Sequence, residues 1–213
     1  MDVFISVKIL VKLSVRASSF NKLIICSGKS VFYLSALVRQ VGDIDFYLIG
    51  ENGAHLQLGS IIPCKESYNT IDNIDIIKNI KLIEKTILDK YQNEVYLQPN
   101  LYTCTFFVYN KETIDKIKDL LNTIEFKEYN LFIDTKSIDI IPIGINKGTA
   151  VRFLQNKLCL NKDKCIGIGD NYNDIPMFEE CSINFKISNK VKEYKTLYTY
   201  NNINQALKKL IRW

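Results

Sequence analysis

Asp170 and Asp174 are two carboxylates four residues apart in Gly169-Asp170-Asn171-Tyr172-Asn173-Asp174, directly after the apolar run Cys165-Ile166-Gly167-Ile168. Carboxylates so placed can converge on one hard cation. Magnesium prefers oxygen ligands and keeps several waters, so one or two carboxylates are enough to hold it. The same glycine, aspartate and asparagine residues also compose an ordinary turn, and spacing alone does not choose between the two. Lys147 opens the amphipathic stretch Lys147 to Leu158. An ammonium beside the free N–H groups of a helix start is a natural seat for phosphate, although most of the chain's 28 lysines and arginines are plain solvated charges. Ser27, at the end of Leu23-Ile24-Ile25-Cys26, could offer its hydroxyl and backbone N–H to a phosphoryl oxygen or simply close a strand.

These residues need a scaffold that brings strand ends together. The runs Leu23 to Cys26, Phe46 to Ile49 and Cys165 to Ile168 are continuously apolar and stop at Ser27-Gly28, Gly50-Glu51-Asn52-Gly53 and Gly169-Asp170. Such runs predict strands buried on both faces. Amphipathic stretches at Ser30 to Val41, Lys147 to Leu158 and Ile203 to Ile211 predict helices between or after them. Strand, polar loop and helix in repetition form a parallel α/β sheet, whose ligands bind at the carboxyl ends of the strands. Between about Cys64 and Pro142 the rhythm changes. A long amphipathic helix over Ile71 to Leu88, a β-prone aromatic segment at Leu101 to Tyr109, a helix at Lys111 to Ile124 and two short strands in Asn130 to Pro142 read as an inserted α+β cap.

Four segments, in order, carry a resemblance. Gly169-Asp170-Asn171-Tyr172-Asn173-Asp174-Ile175-Pro176-Met177-Phe178 closely resembles the fourth motif of the haloacid-dehalogenase superfamily, above all of its members with a type IIB cap. Ile140 to Ala150, with Asn146-Lys147-Gly148-Thr149, resembles the third motif; Ser27-Gly28-Lys29 resembles the second; and Glu51-Asn52-Gly53-Ala54 matches a turn these proteins carry after their next strand. The resemblance runs from Lys22 to near the C-terminus. It implies a Rossmann-like parallel-sheet core over residues 1–63 and 143–213 with an α+β cap over 64–142. It also implies magnesium-dependent hydrolysis of a small phosphorylated metabolite, such as phosphoglycolate or a sugar phosphate, through an aspartyl-phosphate. Ser27 and Lys147 would then act in catalysis. Ser27, Gly28, Lys147, Asn173 and Asn52 would bind the phosphorylated substrate, and Asp170 and Asp174 would serve the metal. Lys29 stands where relatives usually have arginine. The cap supplies specificity in such proteins, which points to Tyr102, Thr103, Thr105 and Lys136, residues that equally suit a strand surface.

One motif of the pattern is not found. Relatives begin with a buried strand ending in Asp-x-Asp, the first aspartate being the nucleophile and the second the acid and base. Here Asp2 is the only acidic residue before Asp43. With Lys8 to Ala17 read as the following helix, the first strand and its Asp-x-Asp are expected upstream of Met1. Taking Val3 to Ser6 as that strand instead puts Val7, Lys8 and Ile9 where the carboxylates belong. Losing the nucleophile abolishes turnover of a phosphate monoester, among the slowest of uncatalysed hydrolyses. A catalytically inactive phospho-ligand-binding protein is therefore the alternative from another class, and a phosphomutase, with the same Asp-x-Asp requirement, is a third.

Composition narrows the partners. Six cysteines without a CxxC pair argue against a disulfide framework or zinc site and fit a reducing cytoplasm. A net charge of +5 with dispersed lysines makes no nucleic-acid surface. No apolar run reaches the roughly 20 residues of a membrane span, and Asp2, Lys8 and Lys12 spoil a signal-peptide reading of the N-terminus. A monomer or homodimer acting on a small anionic substrate is expected. Gly28-Lys29-Ser30 lacks the upstream glycine of a P-loop, where Leu23 stands. The sole histidine, His55, reads as a surface or packing residue rather than a base, with no Ser-His-Asp arrangement to serve.

Overall fold

A computed structural model of the chain describes residues 2–6, 22–39, 46–59, 66–187, 194 and 198–210. It divides into two units: residues 1–68 with 146–213, and residues 69–145. The divisions fall a few residues beyond 63/64 and 142/143, the boundaries that the change of rhythm suggests. Among the described residues no helix is long and apolar enough to cross a membrane.

The first unit is built on an eight-stranded sheet. Its strands are β1 (Asp2–Ser6), β2 (Lys22–Cys26), β3 (Phe46–Gly50), β4 (His55–Leu58), β5 (Glu66–Asn69), β10 (Cys165–Gly169), β11 (Ile183–Ile187) and β12 (Tyr198–Tyr200). They lie in the order β12-β11-β10-β1-β2-β3-β4-β5. The block from β12 to β3 is parallel, and β4 returns antiparallel to β3. Helices α1 (Val31–Val38), α4 (Lys147–Leu158), α5 (Ile175–Glu179) and α6 (Ile203–Leu210) complete the unit. Alternate strand residues feed two apolar clusters. Leu23, Ile25, Ile166 and Ile168 meet α1, while Ile24, Cys26 and Cys165 meet Ala150, Val151 and Leu154 of α4. Continuous apolar runs are thus explained by burial on both faces.

The central strand corrects one expectation. The first strand is not missing from this chain: β1 occupies the slot between β2 and β10, with Val3 opposite both Leu23 and Ile166. The physical reason is the unpaired backbone that an empty slot would leave on two buried strands, at about 1–3 kcal/mol for each group. The short β-prone segment Val3-Phe4-Ile5 suffices to fill it. The helix expected at Lys8 to Ala17, and the Val7-Lys8-Ile9 that follow β1 in sequence, lie outside the described residues.

The second unit is a four-stranded antiparallel sheet with two helices. Strands β6 (Val95–Gln98), β7 (Cys104–Val108), β8 (Tyr129–Ile133) and β9 (Ser137–Pro142) lie in the order β6-β7-β9-β8. Helices α2 (Ile74–Tyr91) and α3 (Glu112–Thr123) pack Ile80, Ile83, Ile87, Ile114, Ile117 and Leu121 onto Cys104, Phe106, Ile138 and Ile140. Strand β6, four residues whose burial alternates only in part, is not signalled by the sequence pattern. Five cysteines are free thiols, and Cys26 and Cys165 are fully buried; Cys64 lies outside the described residues.

Candidate active site

Strands β2, β3 and β10 run parallel, so Ser27, the Glu51–Gly53 turn and Asp170 all leave the sheet at one rim. With β1 between β2 and β10, Ser27 and Asp170 follow strands two spacings, about 10 Å, apart. Helix α4 delivers Lys147 to this rim. Its start is fixed by a reciprocal cap. The Asn146 side chain accepts from the Thr149 N–H at 2.9 Å, and Thr149 Oγ1 accepts from the Asn146 N–H at 3.0 Å. Such a cap stabilises a helix start by about 1 kcal/mol.

Lys147 is 4% exposed and Asp174 1%. Lys147 Nζ donates to Asp174 Oδ1 at 2.5 Å and to Asn173 Oδ1 at 3.3 Å. Asp174 Oδ2 accepts the N–H groups of Asp170 at 2.8 Å and Asn171 at 3.0 Å, which folds the loop after β10 back on itself. Only glycine suits position 169, because a Cβ there would lie 2.5 Å from Asp174 Oδ2. From Asn173 the network continues. Its Nδ2 donates to Asn52 Oδ1 at 3.2 Å, and the Asn52 N–H donates to the Ser27 carbonyl at 2.9 Å. Asn52 has φ +55°, a left-handed conformation that asparagine tolerates better than most residues. Gly28 leaves room for it, since a Cβ there would stand 3.1 Å from Asn52 Nδ2. Ser27 Oγ accepts the Lys29 N–H at 3.2 Å, and the Ser27 N–H donates to Ile49 O at 2.9 Å. The seven residues that spacing and resemblance single out therefore gather at one rim. Ser27, Asn52, Asn173, Lys147 and Asp174 are joined by continuous hydrogen bonds, Gly28 packs on Asn52, and the Asp170 N–H is held by Asp174.

The electrostatics follow from that packing. Burial alone would lower the Lys147 pKa, but the Asp174 carboxylate, aided by Asp170, outweighs it and holds the ammonium above the ordinary lysine value. Lys147 is thus a permanent cation. Burial pushes the Cys26 thiol up to about 12, with Lys147 pulling it down and Asp174 raising it further. Cys26, one residue before Ser27, therefore lies within the field of the ion pair as a neutral thiol, a neighbour that no spacing rule singles out.

Among the described residues no group of three His, Cys, Asp or Glu side chains could hold a metal ion. Both oxygens of Asp174 are already engaged, which makes it an orienter of the loop and of Lys147. Asp170, half-buried beside it, is the second carboxylate at this rim. That donor set fits magnesium, which takes one or two carboxylates together with substrate phosphate and water, rather than an ion needing a full protein cage.

Other singled-out residues fare differently. His55 is 2% exposed, so it packs inside rather than at the surface. Its ring stands edge-on to Phe32 at 5.9 Å, and Nε2 lies 2.7 Å from Ser67 Oγ. Burial lowers its pKa to about 4. The nearest paired carboxylate, Glu51, is 4.0 Å from Nδ1, beyond hydrogen-bond reach, so the three do not form a triad. Thr103 and Thr105 are buried in the second unit, where Asn100 Nδ2 donates to their hydroxyls at 3.0 and 3.2 Å. Tyr102 is half-buried, and Lys136 is exposed in the bend between β8 and β9.

Known proteins resemble this chain in sequence and in fold. Kanosamine-6-phosphate phosphatase of Bacillus subtilis is 26% identical over 157 residues, 61% of this chain. Phosphoglycolate phosphatases of Nitrosopumilus maritimus and Methanospirillum hungatei are each 24% identical, over 70% and 84% of this chain. The chain spans 56% of the length of the first of these relatives, 60% of the second and 74% of the third. Among solved structures, the fold matches a haloacid dehalogenase-like hydrolase from Bacteroides thetaiotaomicron with a TM-score of 0.73 at 12% identity, covering 98% of both chains. It also matches the sucrose-phosphatase of Synechocystis with a TM-score of 0.68 at 17% identity, covering 99% of this chain and 96% of that one. The family model of haloacid dehalogenase-like hydrolases matches residues 60–206, more than half of the sequence. The chain belongs to the haloacid dehalogenase-like hydrolase family.

Proposed function

We propose that this rim binds the phosphoryl group of a small phosphorylated metabolite and is the phosphate- and metal-holding part of a phosphatase. The observation that carries the reading is the Lys147 ammonium, buried at the start of α4 and held by Asp174 and Asn173, which in turn reach Ser27 through Asn52. A fixed cation beside helix N–H groups suits a phosphoryl oxygen, and the Ser27 hydroxyl offers a second contact. Asp170 would hold magnesium, which supplies charge neutralisation on the phosphoryl oxygens. Asn173 and Asn52 keep the lysine and the Ser27 loop in register, so that the oxyanion meets preorganised donors. Relatives that hydrolyse phosphoglycolate or kanosamine 6-phosphate support a small anionic metabolite as substrate.

Turnover needs a nucleophile at the end of β1, between Ser27 and Asp170. The residues after Ser6 are Val7-Lys8-Ile9. This favours the second reading, binding without hydrolysis, for the chain with these residues. Two measurements test the pair of readings. Inorganic phosphate with magnesium should raise the thermal midpoint, by roughly 1.4 kcal/mol of stability at ten times its Kd, and Lys147→Ala should abolish the rise. An aryl phosphate should not be hydrolysed until Val7→Asp and Ile9→Asp supply the carboxylates. Absence of any phosphate-linked stabilisation would sink the site assignment. Hydrolysis by the unaltered chain would sink the binding-only reading.

A further inference from the structure

The sheet of the second unit ends on an edge that no other described strand of that sheet pairs with. Strand β8 is the outermost of its sheet. Its sequence, Tyr129-Asn130-Leu131-Phe132-Ile133, carries no charge, proline or glycine. Leu131, Phe132 and Ile133 are 37%, 36% and 43% exposed. Folded proteins normally blunt such an edge with lysine, proline or a bulge, because its unpaired N–H and C=O groups template pairing with another strand.

The direction of those groups follows from the ladder to β9. The Asp134 N–H donates to Ser137 O at 3.0 Å and the Ile143 N–H to Glu128 O at 3.1 Å. Even-numbered residues of this segment therefore turn their backbone toward β9. By alternation, Tyr129, Leu131 and Ile133 turn theirs outward. Leu131 and Ile133 stand opposite Ile140 and Ile138, so their side chains share the face that α2 and α3 cover, at its open margin.

We propose that β8 pairs antiparallel with β8 of a second copy of this chain, about a two-fold axis through Phe132. Outward residues must meet outward residues, so the axis passes through a residue. Centres at Asn130 or Ile133 set Phe132 against Glu128 or Asp134, a ring against a carboxylate, which leaves Leu131 and Phe132. Centring on Leu131 sets Glu128 of one copy against Asp134 of the other, two like charges. Centring on Phe132 sets Leu131 against Ile133 in both directions and Phe132 against itself. It also sets Asp134 against Asn130, and brings Glu128 toward the bend that carries Lys136. All three apolar side chains then find apolar partners, opposite charges approach, and the contact closes on itself as a dimer.

Sedimentation of the chain over a roughly hundredfold range of concentration tests the proposal. A concentration-dependent monomer–dimer equilibrium is expected. Leu131→Pro removes an outward N–H and leaves the β9 ladder intact, so it should give monomer while far-ultraviolet circular dichroism stays unchanged. Leu131→Lys, which keeps the backbone, should do the same should the proline variant unfold. Glu128→Lys reads the register: it brings lysines together in the Phe132-centred pair and should raise the dimer Kd several-fold. Monomer at every concentration, or a dimer indifferent to both Leu131 variants, overturns the proposal. Tighter dimerisation by Glu128→Lys overturns the register.

Discussion

Each unit contains a buried polar network, and the two differ in reach. In the second unit Gln98 donates to Asn100, and Asn100 to Thr103 and Thr105, all within residues 98–105; Lys81 closes the turn by donating to the carbonyls of Asn100 and Thr103. In the first unit Lys147, Asn173, Asp174, Asn52 and Ser27 come from four separate stretches of chain and include a buried ion pair. A short-range network of neutral side chains, closed by a lysine that is still partly exposed, satisfies the backbone of a tight loop at little desolvation cost. A long-range charged one is a poor way to gain stability, since burying two ions costs several kcal/mol apiece before their attraction repays it. Its place at strand ends suits the phosphoryl-binding role proposed for this rim.

Substitutions sharpen that contrast. The largest effect is expected for Lys147→Ala, which leaves the Asp174 carboxylate buried without its cation. Urea denaturation should show a loss of about 3–5 kcal/mol, and Lys147→Met combined with Asp174→Asn should recover part of it while phosphate-linked stabilisation stays absent. Next come Asn52→Ala and Asn100→Ala, each expected to cost about 1–3 kcal/mol because buried partners lose a bond. Only Asn52→Ala should weaken phosphate binding; an equal effect of Asn100→Ala would erase the distinction between the networks.

The smallest effect tests a third buried polar residue, one that shares the first unit with the site but stands outside its network. The folded-state pKa of His55 is depressed from 6.5 to about 4. Between those values the unfolded chain binds a proton that the folded chain refuses, so His55 contributes stability above pH 6.5 that is lost as pH falls toward 4. The thermal midpoint should decline across that window, and His55→Asn should flatten the decline without altering phosphate binding at neutral pH. An unchanged acid limb in the variant would show that His55 is not the group responsible.

Much of this was legible in the residues. Strands β2, β3 and β10 announce themselves as apolar runs, and α4 begins at Lys147 as its amphipathic pattern says. Of the seven candidate site residues, Ser27, Lys147, Asp170 and Asp174 stand where a strand ends or a helix begins, places at which polar residues interrupt apolar periodicity, whereas Gly28, Asn52 and Asn173 were singled out by the resemblance. Strands β4, β5, β6, β11 and β12 were not legible, and β1, at Val3 to Ser6, was legible only as the disfavoured alternative. Short strands are selected by the neighbours whose backbone they satisfy, and for β1 those neighbours, β2 and β10, lie far along the chain.

What sequence alone determined is the inventory: which side chains could hold phosphate and metal, and in what order the elements carrying them occur. Only the tertiary structure decided which of them are tied to one another. Asp170 and Asp174 are equivalent in a string of letters. They differ in space because the Lys147 ammonium and two backbone N–H groups converge on Asp174 and claim both of its oxygens. Hydrogen-bond partners contributed by distant segments have no local signature, so that choice exists only once the chain is folded.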